Sequence, residues 1–70
     1  MNANRLKGKI VEKGLNIAKT AELTGINKSS LYRKLNGFEK LTVGDAVKLK
    51  NALGLTDLEA LDIFLTQPGA

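Results

Sequence analysis

The chain has 70 residues, enough for one small domain and too few for a second. It contains no cysteine and no histidine, which excludes disulfides, thiolate metal sites and histidine-based acid–base chemistry. A hydrophobic content of 43% predicts a folded chain rather than a disordered one. We find no apolar run that could span a bilayer and no signal peptide, so we expect a cytoplasmic protein without membrane contact.

Charge is distributed unevenly along the chain. The formal net charge is +4, with nine cations against three acids in residues 1–40 and two cations against four acids in residues 41–70. A basic half predicts a polyanionic partner, either nucleic acid or an anionic membrane, but a merely soluble surface fits it equally well. The motifs have to decide between these interpretations.

Glycines and capping residues divide the chain into short helices. The first is predicted over about residues 3–13, because Gly14 stops its apolar pattern. Asn16 is a plausible N-cap for the second, over about residues 17–24, and Gly25 ends that helix with a sharp turn.

The third helix is predicted over about residues 28–36, with Asn27 as its N-cap and Gly37 after its last residue. Side chains on this helix separate into two faces on a helical wheel. Leu31 and Leu35 lie together and are predicted to face the core. The opposite face is polar and carries Lys28, Ser29, Tyr32, Arg33 and Asn36.

Threonines begin the last two helices. Thr42 opens a capping-box-like T-V-G-D before a helix over about residues 43–53, and Thr56 opens T-D-L-E before a helix over about residues 57–65. Apolar residues nowhere alternate with period two, so we predict no strands. The expected architecture is a compact all-α domain over residues 1–66, followed by a short disordered tail over residues 67–70.

The polar face of the third helix fits the requirements of duplex DNA. The major groove admits one α-helix and displays hydrogen-bond donors and acceptors on the base edges. Arginine can bond two guanine acceptors at once, serine can donate or accept, and lysine reaches guanine or a phosphate. The alternative is a solvated helix face whose charges serve solubility, and the face alone does not decide.

The residues before this helix have the spacing of a helix-turn-helix. The small Ala21 is followed four residues later by Gly25, then by Ile26 and, five residues on, by Leu31. With these positions the stretch IAKTAELTGINKSSLYRKLNG resembles the lambda-repressor/Cro-like family, also called XRE-type. The resemblance continues through the basic loop FEKLT and the helix DAVKLKNALGL, and covers roughly residues 5–65.

Two departures from the family pattern affect the second helix. Ile17 stands where members often carry a glutamine that meets phosphate. Thr20 and Thr24 stand where larger aliphatics are usual; we expect their methyls to pack and their hydroxyls to bond to the preceding turn. The stretch also looks like the helix-turn-helix that ends Fis-type proteins. Two more helices follow it here, which favours the Cro-like interpretation.

The resemblance implies a compact five-helix lambda-repressor-like domain that binds double-stranded DNA. It assigns base reading to Lys28, Ser29 and Arg33, the residues that the wheel also selects. Tyr32 either contacts a thymine methyl or a phosphate, or packs partly against the second helix. Lys34 is expected to flank the DNA backbone or to be solvated. The expected phosphate-binding residues are Asn16, Lys19, Lys40 and Asn36, the last with a simple C-terminal cap as its alternative role.

One short helix reads too few base pairs to specify a site in a genome, so we expect a second copy on a half-site about one helical turn away. The fifth helix, DLEALDIFL, is apolar on two sides, and one of them needs a partner. We predict that its leucines, Leu58, Leu61 and Leu65, close the core. The opposite side is expected to form a two-fold dimer through Ala60, Ile63 and Phe64. The alternative is that Phe64 folds back onto the first helix and leaves only Ile63 exposed.

These observations predict a sequence-specific transcriptional regulator, in the form of a Cro-like repressor of phage or mobile-element type that binds a pseudo-palindromic operator. An antitoxin-type autorepressor, or a helix-turn-helix module that binds a protein through the fifth helix, is the alternative. An enzyme is not expected, because the chain has no phosphate loop and no acidic pair placed for acid–base chemistry. We also expect no cofactor, no metal and no small-molecule ligand.

Overall fold

Backbone groups at the helix ends find partners at predictable places along this chain, and these partners fix the element boundaries. The structure is a computed structural model that describes residues 1–65. These residues form five α-helices and no strand; the helices are α1 (Ala3–Glu12), α2 (Ile17–Thr24), α3 (Lys28–Leu35), α4 (Val43–Leu53) and α5 (Asp57–Phe64). The prediction of an all-helical chain with five helices is confirmed over residues 1–65. Residue 66 and the predicted tail over residues 67–70 lie outside the described residues.

Each predicted helix boundary agrees with the structure to within one residue. The first, third and fifth helices end one residue earlier than predicted, because the final residue of each is its C-cap. Asparagine caps α2 and α3, and α4 and α5 begin with capping boxes in which the threonine and the third residue of the helix exchange hydrogen bonds. The N-cap of α1, Asn2, is an additional cap that accepts from the N–H of Arg5.

Leucine and isoleucine from all five helices or their flanking turns meet in one core. The helix α2 packs against α3 and α4, while α1 packs against α3 and α5, and α4 also contacts α5. The most completely enclosed aliphatic side chains, each 0 to 1% exposed, are Leu6, Leu31, Leu35, Leu49 and Ile63. The N–H of Asn2 donates to the carbonyl of Ile63 at 2.7 Å, which ties the start of α1 to the end of α5.

The predicted orientation of the fifth helix is wrong. Ile63, expected on the outer side, is 1% exposed and belongs to the core, whereas Leu58, Leu61 and Leu65 are 79%, 50% and 69% exposed. Phe64 and Ala60 are partly buried, and Phe64 packs against the core.

Contacts between α1 and α5 explain this orientation. Besides the bond from Asn2 to Ile63, Arg5 pairs with Asp62, and Lys9 pairs with Glu59. These three links turn the side of α5 that carries Ile63 towards α1, so the leucines point outward. A wheel alone could not choose between two apolar sides.

The two unusual threonines of α2 behave differently from each other. Thr24 donates from Oγ1 to the carbonyl of Thr20 at 2.8 Å, as expected, and the same oxygen accepts from the N–H of Ile26. Thr20 is 0% exposed, and its hydroxyl finds no partner among residues 1–65. The expectation that both hydroxyls bond to the preceding turn is therefore confirmed for Thr24 only.

No helix in the described part of the chain has both the length and the apolar composition needed to cross a bilayer.

Candidate nucleic-acid interface

The turn between α2 and α3 sets the direction in which α3 leaves the core. Gly25 has a φ of +75°, a left-handed conformation that glycine adopts without steric cost, and its N–H donates to the carbonyl of Ala21. Ile26 is 8% exposed and anchors the turn in the core. Asn27 then begins α3 by accepting from the N–H groups of Ser29 and Ser30. The turn therefore has a fixed conformation rather than a free one.

One side of α3 is buried and the other is exposed. Leu31 and Leu35 are 0% and 1% exposed, so they fix the rotation of the helix about its own axis. The four side chains predicted to read bases line one open cleft of about 410 Å³, together with Ile17 from the start of α2; they are Lys28, Ser29, Tyr32 and Arg33. All four are exposed, and Tyr32, at 55% exposed, shares the cleft with Ile17, so both its groove-facing role and partial packing against α2 fit its position. The structure therefore brings together the residues that the sequence assigned to this role.

The residues predicted to bind phosphate have local partners. Asn16 accepts at Oδ1 from the N–H of Lys19, which makes it the N-cap of α2. Asn36 donates from Nδ2 to the carbonyl of Tyr32 at 2.8 Å and accepts at Oδ1 from Lys7, so the alternative role as a C-terminal cap is present in the structure. The ammonium group of Lys19 lies 3.5 Å from Glu22.

Lys40 is exposed, in the loop that follows α3. Its carbonyl accepts from the ammonium group of Lys34 at 3.4 Å. Lys40 therefore lies beside α3, at the end of the helix where the phosphate contact is expected for it.

Lys34 is not the flanking or solvated residue that the sequence predicted. It is 8% exposed, and its Nζ pairs with Asp45 at 2.8 Å and with Glu39 at 3.0 Å. The prediction failed because both carboxylates lie further along the chain, in the loop after α3 and at the start of α4. Only the fold brings them to the lysine.

Glu39 is the contact point of three side chains from α3. It accepts from the hydroxyl of Ser30 at 2.5 Å, pairs with Lys34, and accepts from Nε of Arg33 at 3.2 Å. The Ser30 hydroxyl and then the Lys34 ammonium lower the pKa of Glu39 from 4.5 to about 2. The carboxylate is therefore ionised at neutral pH.

Asp45 is the second carboxylate that pairs with Lys34, at 2.8 Å. Lys34, followed by the backbone of Thr42, lowers the pKa of Asp45 from 3.8 to about 2. In turn, Asp45 and Glu39 raise the pKa of Lys34. Sequence reasoning missed Glu39 and Asp45 as parts of the site. For Asp45, the capping box was a usable signal, because it turns the carboxylate back towards the loop after α3. For Glu39, no local sequence pattern indicates its contacts with α3.

Comparisons with protein-family models, with curated proteins and with solved structures each found no match to this chain.

Proposed function

We propose that this protein is a sequence-specific regulator that binds double-stranded DNA. In this proposal α2 and α3 form a helix-turn-helix of the lambda-repressor/Cro-like kind, and α3 enters the major groove. The observation that carries the proposal is the cleft formed by Lys28, Ser29, Tyr32 and Arg33 on a helix whose opposite side is buried. Because the core fixes the rotation of α3, these four side chains face outward together.

The chemistry of each of the four side chains suits it to a different contact with DNA. Arg33 is the residue best suited to guanine, because a guanidinium can bond O6 and N7 together. Lys28 and Ser29 occupy the first turn of α3, and in helix-turn-helix proteins the N-terminal residues of the recognition helix contact the base edges. Tyr32 is exposed enough to meet a thymine methyl or a phosphate.

Backbone phosphates would be met by groups around this helix. Lys19 and Lys40 supply ammonium groups, and each amide of Asn16 and Asn36 keeps an N–H that its cap does not use. Such contacts carry no sequence information, but they position the protein and make its affinity fall with salt.

A second copy of the chain completes the proposal. We place the contact between the two copies on the exposed leucines of α5, which are Leu58, Leu61 and Leu65, because the side that carries Ile63 is buried in the core. Their spacing puts them on one side of the helix, and an exposed apolar stripe of this kind usually has a partner. A dimer would read two half-sites and so supply the specificity that one short helix lacks.

The same leucines support the alternative function, a module that binds another protein through α5 or an antitoxin-type autorepressor. For the protein-binding module, the basic face of α3 would give only weak DNA binding without sequence preference. Binding of that kind disappears at moderate salt, because it depends on released counterions.

Selection of bound sequences from a randomised duplex pool tests the proposal. Wild type is expected to enrich a pseudo-palindrome, and Arg33→Ala to lose the preference at one position in each half-site. Arg5→Ala is the matched control, because it removes the other arginine of the chain, which pairs with Asp62 between α1 and α5. It should weaken binding to all sequences alike. Failure of wild type to enrich any sequence contradicts the proposal.

A further inference from the structure

We propose that Glu39 positions Arg33 for base reading, so that the sequence specificity of the interface depends on a carboxylate outside α3. This inference rests on the proposed function. Arg33 donates to Oε1 of Glu39 through Nε, at 3.2 Å. The bond leaves the terminal pair of nitrogens uninvolved, and these are the N–H groups that can reach O6 and N7 of a guanine together.

The carboxylate of Glu39 is itself held in place. Its second oxygen, Oε2, takes both the hydroxyl of Ser30 and the ammonium group of Lys34, while Oε1 is left for Arg33. Ser30, Arg33 and Lys34 lie within one turn or so of α3. The backbone supports the same arrangement, because Gly37, with a φ of +80°, turns the chain, and the N–H of Phe38 bonds the carbonyl of Arg33 at 2.9 Å.

Contacts continue from Glu39 to the start of α4. Lys34 has a side chain only 9% exposed, and Asp45 holds it at 2.8 Å. Asp45 is also a member of the capping box with Thr42, so its carboxylate is held by the N–H of Thr42, the N-cap of α4. A continuous series of hydrogen bonds and ion pairs therefore joins α4 to the guanidinium of Arg33.

A positioned arginine differs energetically from a free one. A long side chain that is already oriented has less rotamer freedom to lose when it binds. If Glu39 positions Arg33, its removal should weaken the preference for guanine. Simple electrostatics predicts a different effect: a carboxylate near DNA repels phosphate, so its removal should strengthen binding to every sequence. The two accounts of Glu39 thus predict different results for one substitution.

The test is the isosteric Glu39→Gln, with Glu12→Gln as control. The control removes the same charge from the last turn of α1, where the carboxylate contacts Lys9 at 3.0 Å and does not touch α3. Each variant is titrated with the duplex that wild type selects and with a duplex in which the guanine assigned to Arg33 is replaced. We expect Glu39→Gln to reduce the preference for guanine at least about threefold, and Glu12→Gln to keep the wild-type preference.

Two further measurements separate positioning from a general structural role. In an Arg33→Ala background, Glu39→Gln is expected to change the guanine preference no further, because the side chain through which it acts is gone. Without DNA, the NMR signal of the Arg33 Nε–H is expected to be protected from solvent exchange in wild type. In Glu39→Gln it should lose most of that protection, because Ser30, Lys34 and Arg33 then compete for the single oxygen of a neutral amide. Ser30→Ala keeps the charge of Glu39 but removes one of its contacts, and is expected to give a smaller loss in both readouts.

The outcomes are distinguishable. If wild type selects a sequence and Glu39→Gln behaves like Glu12→Gln, with an unchanged Nε–H signal, Glu39 does not position Arg33 and the proposed function stands. If wild type selects no sequence, both the proposed function and this inference are overturned.

Discussion

At the residue scale, two threonines one turn apart on α2 show how the same side chain can have opposite effects on stability. Thr24 has three polar neighbours: its hydroxyl lies 2.8 Å from the carbonyl of Thr20, 3.2 Å from that of Ala21 and 3.2 Å from the N–H of Ile26. Thr20 is enclosed more completely, at 0% exposed against 9% for Thr24, but its hydroxyl has no partner among the described residues. A buried hydroxyl without a hydrogen bond costs free energy that an apolar group of the same shape does not.

Replacing each threonine by the isosteric valine therefore has opposite predicted effects. Thr20→Val should raise the free energy of unfolding by about 1 kcal/mol, since it removes an unpaired polar atom. Thr24→Val should lower it by about 1–2 kcal/mol, since it leaves the N–H of Ile26 unpaired. Urea denaturation of the two variants measures both. Equal destabilisation by the two substitutions would contradict this role of the Thr20 hydroxyl.

At the element scale, the glycines of α1 and of the turn between α2 and α3 have different roles. Gly25 is left-handed, and an added Cβ would have open space around it, so any cost of substitution arises from the backbone. Gly8 lies inside α1, also with open space for a Cβ, and its backbone is helical. Alanine favours the helical conformation and disfavours the left-handed one.

The same substitution should therefore act in opposite directions at these two sites. We expect Gly25→Ala to destabilise the protein by about 1–2 kcal/mol and Gly8→Ala to stabilise it by roughly 0.5–1 kcal/mol. Thermal unfolding followed by circular dichroism gives both values. A Gly25→Ala variant as stable as wild type would mean that the turn does not need a left-handed residue.

The contact between α1 and α5 makes stability depend on pH. Lys9, and then the backbone of Thr56, lowers the pKa of Glu59 from 4.5 to about 2. Since the folded state holds this carboxyl ionised more strongly than the unfolded state does, the contribution is complete above about pH 4.5 and is lost as pH falls towards 2. Glu59→Gln should therefore flatten the decline of stability in that window.

Chemical denaturation at a series of pH values between these limits measures the effect. The matched control is Glu22→Gln, which removes a carboxylate whose side chain is 70% exposed and lies 3.5 Å from Lys19. The control should keep the wild-type pH profile. A Glu59→Gln variant with the wild-type slope would show that the pair with Lys9 does not stabilise the fold.

At the scale of the whole molecule, local signals predicted the helices, and long-range contacts decided how the helices face one another. Caps and glycines at Asn16, Asn27 and Gly25 act on their own helix ends, so the sequence alone placed those ends. The polar face of α3 was predictable for the same reason. The orientation of α5 and the burial of Lys34 were not, because each depends on side chains far away in sequence that only the fold brings close.

Exposed leucines on α5 lead to a prediction about assembly. Leu61→Glu places a charge in the middle of the proposed dimer contact and should shift the protein towards monomer in sedimentation equilibrium. Leu23→Glu is the matched control, because Leu23 and Leu61 are 51% and 50% exposed. The control should keep the wild-type mass. A wild type that is monomeric at all concentrations, with or without DNA, would remove the dimer from the account.

We propose that α3 is the part of the molecule that contacts DNA bases. A nitrogen-15 NMR titration with the selected duplex, at about 0.15 M salt, observes this contact directly. The largest changes are expected at the amides of Lys28, Ser29, Tyr32 and Arg33, with α5 affected only where two copies meet. Changes confined to α5, or no binding at that salt concentration, would contradict the claim and would leave the leucine side of α5 as the functional surface.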